Sequence, residues 1–126
     1  MYLSVVVEDK HWQIHRSTRT GTDFEKPVPL PEIDAPGFQH GVTATADDLT
    51  LYFSSNRPLQ PTGALNANIY VATRRTASER FGAPRPVDEL NDKSYDVVSW
   101  VSPDGCRLYF ASARTGSNRI YVAAKP

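Results

Sequence analysis

Four side chains with acid, base or hydrogen-bonding chemistry stand next to predicted strands of this chain. They are an amide, an imidazole, a phenol and a carboxylate: Gln39, His40, Tyr95 and Asp96. His40 and Asp96 carry groups that a hydrolase uses as general base and general acid, and all four suit a pocket for a polar ligand. The two pairs are far apart in sequence, so the fold must bring them together before either chemistry is available.

The other two histidines invite a metal site, but their spacing is wrong for one. His11 and His15 are four positions apart on a predicted strand, which separates their Cα atoms by about 13 Å at roughly 3.3 Å per residue. One ion does not directly bridge side chains at that separation. We therefore expect structural or solvent-exposed histidines, no metal site and no cofactor.

Two aspartates and two arginines occupy matching positions of an internal repeat. Asp47 and Asp104 lie in predicted turns, where a short carboxylate accepts hydrogen bonds from nearby backbone N–H groups. Arg57 and Arg114 each follow a predicted strand. We expect turn capping rather than a catalytic pair from the aspartates. From the arginines we expect a shared structural role, with anion binding as the alternative.

The sequence contains none of the local catalytic motifs that would indicate an enzyme. It has no Gly-x-Ser-x-Gly elbow, no phosphate-binding glycine loop, no His-Glu-x-x-His and no calcium loop. The single cysteine, Cys106, has no partner for an intramolecular disulfide. We expect it to be a small buried apolar side chain in a strand. A catalytic site assembled in space stays open.

Composition limits the classes of protein further. The 126 residues carry 14 Lys and Arg against 14 Asp and Glu, and 40% are hydrophobic, which predicts one globular domain with a core. Zero net charge provides no field that would attract nucleic acid or an anionic membrane surface. No apolar run reaches the roughly 20 residues of a membrane span. Residues 1–8 indicate a first strand rather than a signal peptide, and we expect a soluble chain.

An internal repeat organises the chain. Residues 24–57 align without gaps on residues 81–114 at an offset of 57, with ten identities. Past this block the segment Ile69–Ala72 recurs as Ile120–Ala123, and the change of offset predicts an insertion in the loop Pro58–Gly63. The identical pairs are Phe24/Phe81, Pro27/Pro84, Pro29/Pro86, Glu32/Glu89, Asp47/Asp104, Leu51/Leu108, Tyr52/Tyr109, Phe53/Phe110, Ser55/Ser112 and Arg57/Arg114.

Each repeat predicts strands and almost no helix. Short β-branched and aromatic runs are bounded by Asp, Gly, Asn and Pro, and no window shows a helical stripe. The runs Leu51-Tyr52-Phe53 and Leu108-Tyr109-Phe110 indicate strands that are buried on both faces, as in stacked sheets. The predicted strands are Tyr2–Val7, Trp12–Ser17, Pro27–Leu30, Gly41–Thr45, Thr50–Ser55, Asn68–Thr73, Arg85–Leu90, Asp96–Val101, Arg107–Ser112 and Arg119–Ala123.

Short antiparallel units repeated in sequence are typical of a β-propeller. The run Val101-Ser102-Pro103-Asp104-Gly105, continued by Leu108-Tyr109-Phe110 and Ile120-Tyr121-Val122, resembles the WD-repeat-like blades of TolB-type propellers. The other copy replaces the family's Ser-Pro-Asp-Gly with Thr45-Ala46-Asp47-Asp48, so we expect a strained or longer hairpin there. That family includes protein-binding modules of bacterial envelopes and propeller domains attached to peptidases. The resemblance therefore implies an interaction scaffold and is consistent with an extracytoplasmic location.

The expected architecture is one all-β domain over residues 1–126, a partial propeller of about three antiparallel four-stranded blades. The blade units lie near residues 1–33, 34–90 and 91–126. Closed propellers typically have 4–8 blades, so we expect a homodimer that completes a ring of about six. Four large aromatic residues are expected between blades: Tyr52, Phe53, Tyr109 and Phe110. Four polar residues are expected at the mouth of the central channel: Gln39, His40, Tyr95 and Asp96.

The function expected from this architecture is non-catalytic. A half-propeller of this kind would bind a protein, a peptide or a small polar ligand, without nucleic acid and without membrane insertion. A hydrolase-type enzyme with His40 and Asp96 at the channel mouth is the alternative from a different class. A third alternative is a fragment of a longer propeller that has no separate function.

Overall fold

Strands provide the regular structure of residues 1–8, 11–57 and 66–125, which are the residues that this computed structural model describes. These ranges contain no helix, so the expected all-β class is confirmed for them, and none of their segments is a helix that could cross a membrane. The predicted insertion Pro58–Gly63 lies outside the described residues. The strands are β1 Tyr2–Glu8, β2 His11–Arg16, β3 Arg19–Thr20, β4 Asp23–Phe24, β5 Val28–Pro29, β6 Gln39–Ala44, β7 Thr50–Ser55, β8 Asn68–Thr73, β9 Arg85–Pro86, β10 Asp96–Val101, β11 Arg107–Ser112 and β12 Arg119–Ala124.

The strands form three main antiparallel sheets and a small hairpin. The first sheet has the order β1-β2-β5, the second β6-β7-β8-β9 and the third β10-β11-β12, while β3 pairs with β4. Strands that follow one another pair as simple meanders, so Phe53 of β7 lies opposite Tyr70 of β8, and Phe110 of β11 lies opposite Tyr121 of β12. The three sheets stay separate in the described chain, and none of them closes into a barrel.

Two apolar cores lie between the sheets because the middle strands bury both of their faces. In β7, Leu51 and Phe53 pack into the core between the first and second sheets, whereas Tyr52 points the other way and packs against the core between the second and third. The expected two-faced burial is therefore confirmed for β7. The first core contains Ile14, Ile33, Leu51, Phe53, Tyr70, Ala72 and Phe81. The second core contains Ile69, Val98, Val101, Leu108 and Phe110.

The outer face of the third sheet carries large apolar side chains that remain accessible. Ile120 and Val122 are 66% and 55% exposed, and the Trp100 ring lies 5.5 Å from the Tyr109 ring on this face. The register pairs Tyr109 with Trp100 and with Val122, which places all three on one side of the sheet. Tyr109 was expected to lie between sheets like Phe110, but it is only half-buried on this outer face.

Two equivalent hairpin turns show why the loss of a glycine is tolerated. In the β10–β11 turn Gly105 has a φ of +68°, and in the β6–β7 turn Asp48 takes a φ of +60° at the same repeat position. Aspartate tolerates this left-handed region better than most residues, so the turn keeps its length and is not the longer loop that the sequence allowed. Asp47 and Asp104 cap these turns as expected, because each accepts a hydrogen bond at 3.0 Å from the backbone N–H two residues later.

Three local expectations are corrected by the structure. The fourth strands are only two residues long, Val28–Pro29 and Arg85–Pro86, because proline cannot donate to a ladder and turns follow at once. The short β3–β4 hairpin was not predicted. Cys106 is exposed rather than buried, because it lies in the turn before β11 and not inside a strand.

Candidate functional site

An aromatic cluster lies where the three sheets meet at one end of β6 and β10. The His40 ring centroid is 5.1 Å from that of Phe38, 6.0 Å from that of Tyr95 and 6.4 Å from that of Trp12. The Tyr95 hydroxyl lies 3.1 Å from His40 Nε2, within hydrogen-bond distance. Trp12 and Tyr95 remain 40% and 43% exposed, so the cluster presents ring surface to solvent. We refer to Trp12, Phe38, His40 and Tyr95 as the aromatic cluster.

Backbone contacts hold the first sheet against the segment that enters β6. The Trp12 N–H donates to the Gly37 carbonyl oxygen at 3.0 Å, and the Phe38 N–H donates to Asn56 Oδ1 at 2.8 Å. Gly37 has a φ of +96°, and a Cβ at this position would collide with the Asn56 amide. Gly37 therefore lets the chain turn just before Phe38, beside its backbone contact with Trp12, and both aromatic rings lie on the same surface.

A second glycine allows β6 and β10 to approach closely enough for His40 and Tyr95 to meet. Gly41 follows His40 with a φ of +58°, and a Cβ there would collide with the Val98 carbonyl oxygen of β10. The Val98 N–H in turn donates to Ser54 Oγ at 2.8 Å, which ties β10 to the second sheet. The contact of β6 with β10 thus depends on the missing side chain at Gly41.

Gln39 and Asp96 do not belong to the exposed site. Both side chains are fully buried, because successive residues of a strand point to opposite faces and His40 takes the accessible one. Asp96 accepts hydrogen bonds from Arg114 Nη2 at 3.0 Å and from the Asp92 N–H at 3.1 Å. Gln39 Nε2 donates to the Ala35 carbonyl oxygen at 2.9 Å. Of the four residues expected at a channel mouth, the structure brings together His40 and Tyr95 alone.

The two repeated arginines have the structural role that was expected of them. Arg57 Nε donates to Ser55 Oγ at 3.1 Å, and Arg114 Nε donates to Ser112 Oγ at 3.0 Å. Each guanidinium also donates to a backbone carbonyl oxygen of the preceding segment and lies about 5 Å from two aromatic rings of its own sheet. Both guanidinium groups therefore cap the ends of β7 and β11 and have structural partners.

The aromatic cluster is electrically neutral near pH 7. Burial lowers the pKa of the His40 imidazole below its ordinary value, and burial raises the pKa of the Tyr95 phenol above its ordinary value. The neutral imidazole can accept the hydrogen bond from the Tyr95 hydroxyl at Nε2. Because Asp96 is turned into the protein and paired with Arg114, this surface offers ring faces and two polar tips rather than an imidazole–carboxylate pair.

The remaining histidines lie elsewhere. His11 Nε2 is 3.0 Å from Asp34 Oδ1, and Gln13 Nε2 donates to the other oxygen of that carboxylate at 2.8 Å. His15 lies opposite Pro29 in the β2–β5 ladder. In residues 1–8, 11–57 and 66–125, no three His, Cys, Asp or Glu side chains group as metal ligands.

A polar network joins the first two sheets around the aspartate that replaces the turn glycine. Asp48 accepts a hydrogen bond from the Tyr2 hydroxyl at 2.6 Å and forms ion pairs with Arg16 at 3.0 Å and with Arg74. Burial and the neighbouring Asp48 carboxylate raise the pKa of the Tyr2 phenol. The Arg74 guanidinium also lies 4.3 Å from the centroid of the Phe81 ring. The space between these sheets is therefore filled by side chains.

The corresponding space between the second and third sheets is open. A cleft of about 480 Å³ lies there, with an apolar floor and a charged rim. Gly105 stands at the repeat position of Asp48, and Lys125 at that of Arg74. The cleft is lined by Tyr52, Val71, Arg85, Val87, Glu89, Leu90, Gly105, Cys106, Leu108, Ala123, Ala124 and Lys125.

Two of the four residues of the aromatic cluster, His40 and Tyr95, were predicted from the sequence. Phe38 occupies the repeat position of Tyr95, so the offset of 57 carried a signal that an aromatic side chain stands at this point in both units. Trp12 carried no such signal, because it meets His40 across two sheets rather than along the chain. Comparison with known proteins adds no further residue, since no family model matches the sequence and no curated protein matches it significantly.

Proposed function

We propose that the chain is a non-catalytic binding scaffold of about three propeller-like blades that recognises a protein or peptide through the aromatic cluster. The observation that carries this proposal is the position of Trp12, Phe38, His40 and Tyr95, which come from three sheets and leave ring surface exposed. Aromatic side chains are enriched where proteins bind partners, because they bury large areas at small entropic loss.

The chemistry of the cluster favours an extended segment with an apolar or proline side chain. Neutral ring faces gain from contact with such groups, while the Tyr95 hydroxyl and the second ring nitrogen of His40 can bond to a peptide backbone. The aromatic cluster contains no carboxylate, whereas the alternative function as a hydrolase requires an imidazole–carboxylate pair.

The test is selection from a displayed random-peptide library on the immobilised chain, followed by measurement of the dissociation constant of the selected peptide. His40→Ala and Tyr95→Ala should each weaken binding by about 30-fold, which is typical of an anchor residue. Val28→Ala is the control, because this valine is exposed and lies outside both the aromatic cluster and the outer face of the third sheet. Selected peptides that bind the two cluster variants as tightly as the parent would contradict the proposal. So would turnover in a hydrolase screen that is lost in both His40→Ala and Asp96→Asn.

We propose further that two copies pack end to end and complete a ring of about six blades. The outer face of the third sheet offers Trp100, Tyr109, Ile120 and Val122, and patches of this kind mark interaction sites. The internal repeat indicates which residues of the two copies would meet. Phe81 packs edge-on against Tyr2 of the sheet before it, with ring centroids 6.2 Å apart. The equivalent Phe24 is exposed in the β3–β4 hairpin, and the equivalent of Tyr2 in the third sheet is Tyr109.

Light scattering coupled to size exclusion at micromolar concentration tests this assembly. The parent should elute with the mass of a dimer, and Ile120→Lys combined with Val122→Lys should give a folded monomer, because two charges cannot be buried unpaired in an apolar contact. Val28→Lys changes a comparably exposed valine outside this face and should leave the dimer intact. A folded parent that remains monomeric at every concentration would contradict the assembly.

A further inference from the structure

Strands β2, β8 and β12 have the same position in the repeat, and the outer edges of β2 and β8 are paired in the same way. In the first sheet β5 pairs with β2, and in the second sheet β9 pairs with β8. Both covering strands belong to segments with the pattern Phe-x-x-Pro-x-Pro, at residues 24–29 and 81–86. The bonds repeat as well: the Leu30 N–H donates to the Ile14 carbonyl oxygen and the Val87 N–H to that of Ile69, both at 3.0 Å.

The third sheet has the equivalent strand, but its outer edge is not paired in the described residues. β12 is equivalent to β8, since Ile120–Ala123 repeats Ile69–Ala72. In residues 1–8, 11–57 and 66–125 no strand pairs with the outer edge of β12. Its outward backbone groups belong to Ile120, Val122 and Ala124, by the register that β8 shows with β9. An unpaired edge of this kind is a template for an added strand.

The cleft next to this edge matches the aromatic side chain that such a segment would bring. Between the first and second sheets Phe81 is buried beside Tyr2 and Arg74. Between the second and third sheets the equivalent positions are Tyr52 and Lys125, and both line the open cleft. Lys125 is placed as Arg74 is, because its N–H donates to the Cys106 carbonyl oxygen at 2.9 Å and that of Arg74 donates to the Leu49 carbonyl oxygen at 3.0 Å.

We propose that the outer edge of β12, which the described residues leave unpaired, and the adjacent cleft bind an extended Phe-x-x-Pro-x-Pro segment of a second polypeptide. The segment adds as an antiparallel strand, its second proline lies opposite Tyr121 as Pro86 lies opposite Tyr70, and its phenylalanine enters the cleft. The Lys125 ammonium then lies over the ring in the place of the Arg74 guanidinium. This site uses no residue of the aromatic cluster, so its failure and that of the proposed function are distinguishable.

The probe is a synthetic peptide with the sequence of residues 81–91, which carries the complete pattern that covers β8. Titration calorimetry with the full chain should give one peptide per chain. The Phe81→Ala version of the peptide should bind about 30-fold more weakly, as expected when an anchoring aromatic side chain is removed. Cys106 is exposed and lines the cleft, so the parent peptide should slow its alkylation by a maleimide in proportion to the bound fraction.

Two chain variants separate edge pairing from other contacts. Val122→Pro removes an outward N–H from β12 and should abolish binding, whereas Val122→Thr keeps that N–H and should retain it. If Val122→Pro does not fold, two measurements on the parent chain decide the question: the ratio of the dissociation constants of the Phe81→Ala and parent peptides, and the protection of Cys106. Equal binding of the two peptides, or binding without protection of Cys106, would overturn the proposal. A parent chain that binds no peptide, and that Val122→Pro converts from dimer to monomer, would also overturn it, because a second copy would then occupy the edge.

Discussion

Phe53→Ala tests whether the stacked sheets are held by aromatic side chains between them. Phe53 is fully buried in the core between the first and second sheets, with its ring 5.9 Å from that of Tyr70 and 5.1 Å from the Arg57 guanidinium. Truncating a buried phenylalanine to alanine costs about 3–5 kcal/mol, because transfer free energy is lost and a cavity remains. Against a total stability of about 5–15 kcal/mol, this loss is a large fraction.

Urea unfolding followed by far-UV circular dichroism measures the effect. With a slope of about 2 kcal/mol per molar urea for a small domain, a loss of about 4 kcal/mol moves the midpoint down by about 2 M. Phe24→Ala is the matched control, because Phe24 has the same repeat position as a buried phenylalanine but is itself exposed. It should change stability by no more than about 0.5 kcal/mol when both changes are measured in the Ile120→Lys, Val122→Lys chain, which is expected to be a monomer. A Phe53→Ala chain within about 0.5 kcal/mol of the parent would refute burial between sheets.

Three further outcomes follow from the polar and backbone contacts. Asp48→Gly relaxes a left-handed turn but removes the partner of Arg16 and Arg74, so thermal unfolding should show a net loss of about 1–3 kcal/mol; a more stable variant would refute the network. Gly41→Ala should lower stability by more than about 1 kcal/mol, because φ is +58° and a Cβ would strike Val98; unchanged melting would contradict the close approach of β6 and β10. The pKa of His40 is lowered in the folded state, so the unfolded chain binds more protons and stability should fall as pH drops below about 6.5. His40→Phe should flatten the melting temperature between pH 5 and pH 7, and an equally steep dependence would place its origin elsewhere.

The middle strands of the second and third sheets could be predicted from sequence because local pattern and burial agree there. Thr50–Ser55, Asn68–Thr73 and Arg107–Ser112 were predicted with the bounds that the structure has. Each is a run of β-branched and aromatic residues between turn residues, and the repeat indicated the same element twice. Strands that pack on both sides need apolar residues in succession, and such a run is visible without any knowledge of their neighbours.

The fourth strands and Cys106 were predicted wrongly because local pattern does not show where pairing ends. Residues 87–90 were predicted to continue the strand that begins at Arg85, but the chain turns after Pro86, and a one-residue difference decides whether a side chain such as Cys106 lies in a turn or in a ladder. The residues at which a strand begins and ends depend on tertiary contacts more than the existence of the strand does.

The candidate site was only half predictable for a related reason. Gln39 and His40 are adjacent in sequence, as are Tyr95 and Asp96, and alternation sends one member of each pair into the protein. The sequence does not reveal which member faces solvent, because this depends on how β6 and β10 meet at Gly41. Trp12 joins the cluster from the first sheet through a contact between elements distant in the chain.

The most direct test of the binding scaffold is the map of amide chemical-shift changes when a peptide selected on the chain is titrated into it. We predict that the largest changes fall on residues 37–41 and 95–97 and on the indole N–H of Trp12, with one peptide bound per chain. The indole N–H of Trp100, on the outer face of the third sheet, should stay unchanged in the same spectra. Changes confined to Trp100 and β12, with the residues around His40 unmoved, would contradict the assignment of the aromatic cluster as the binding surface.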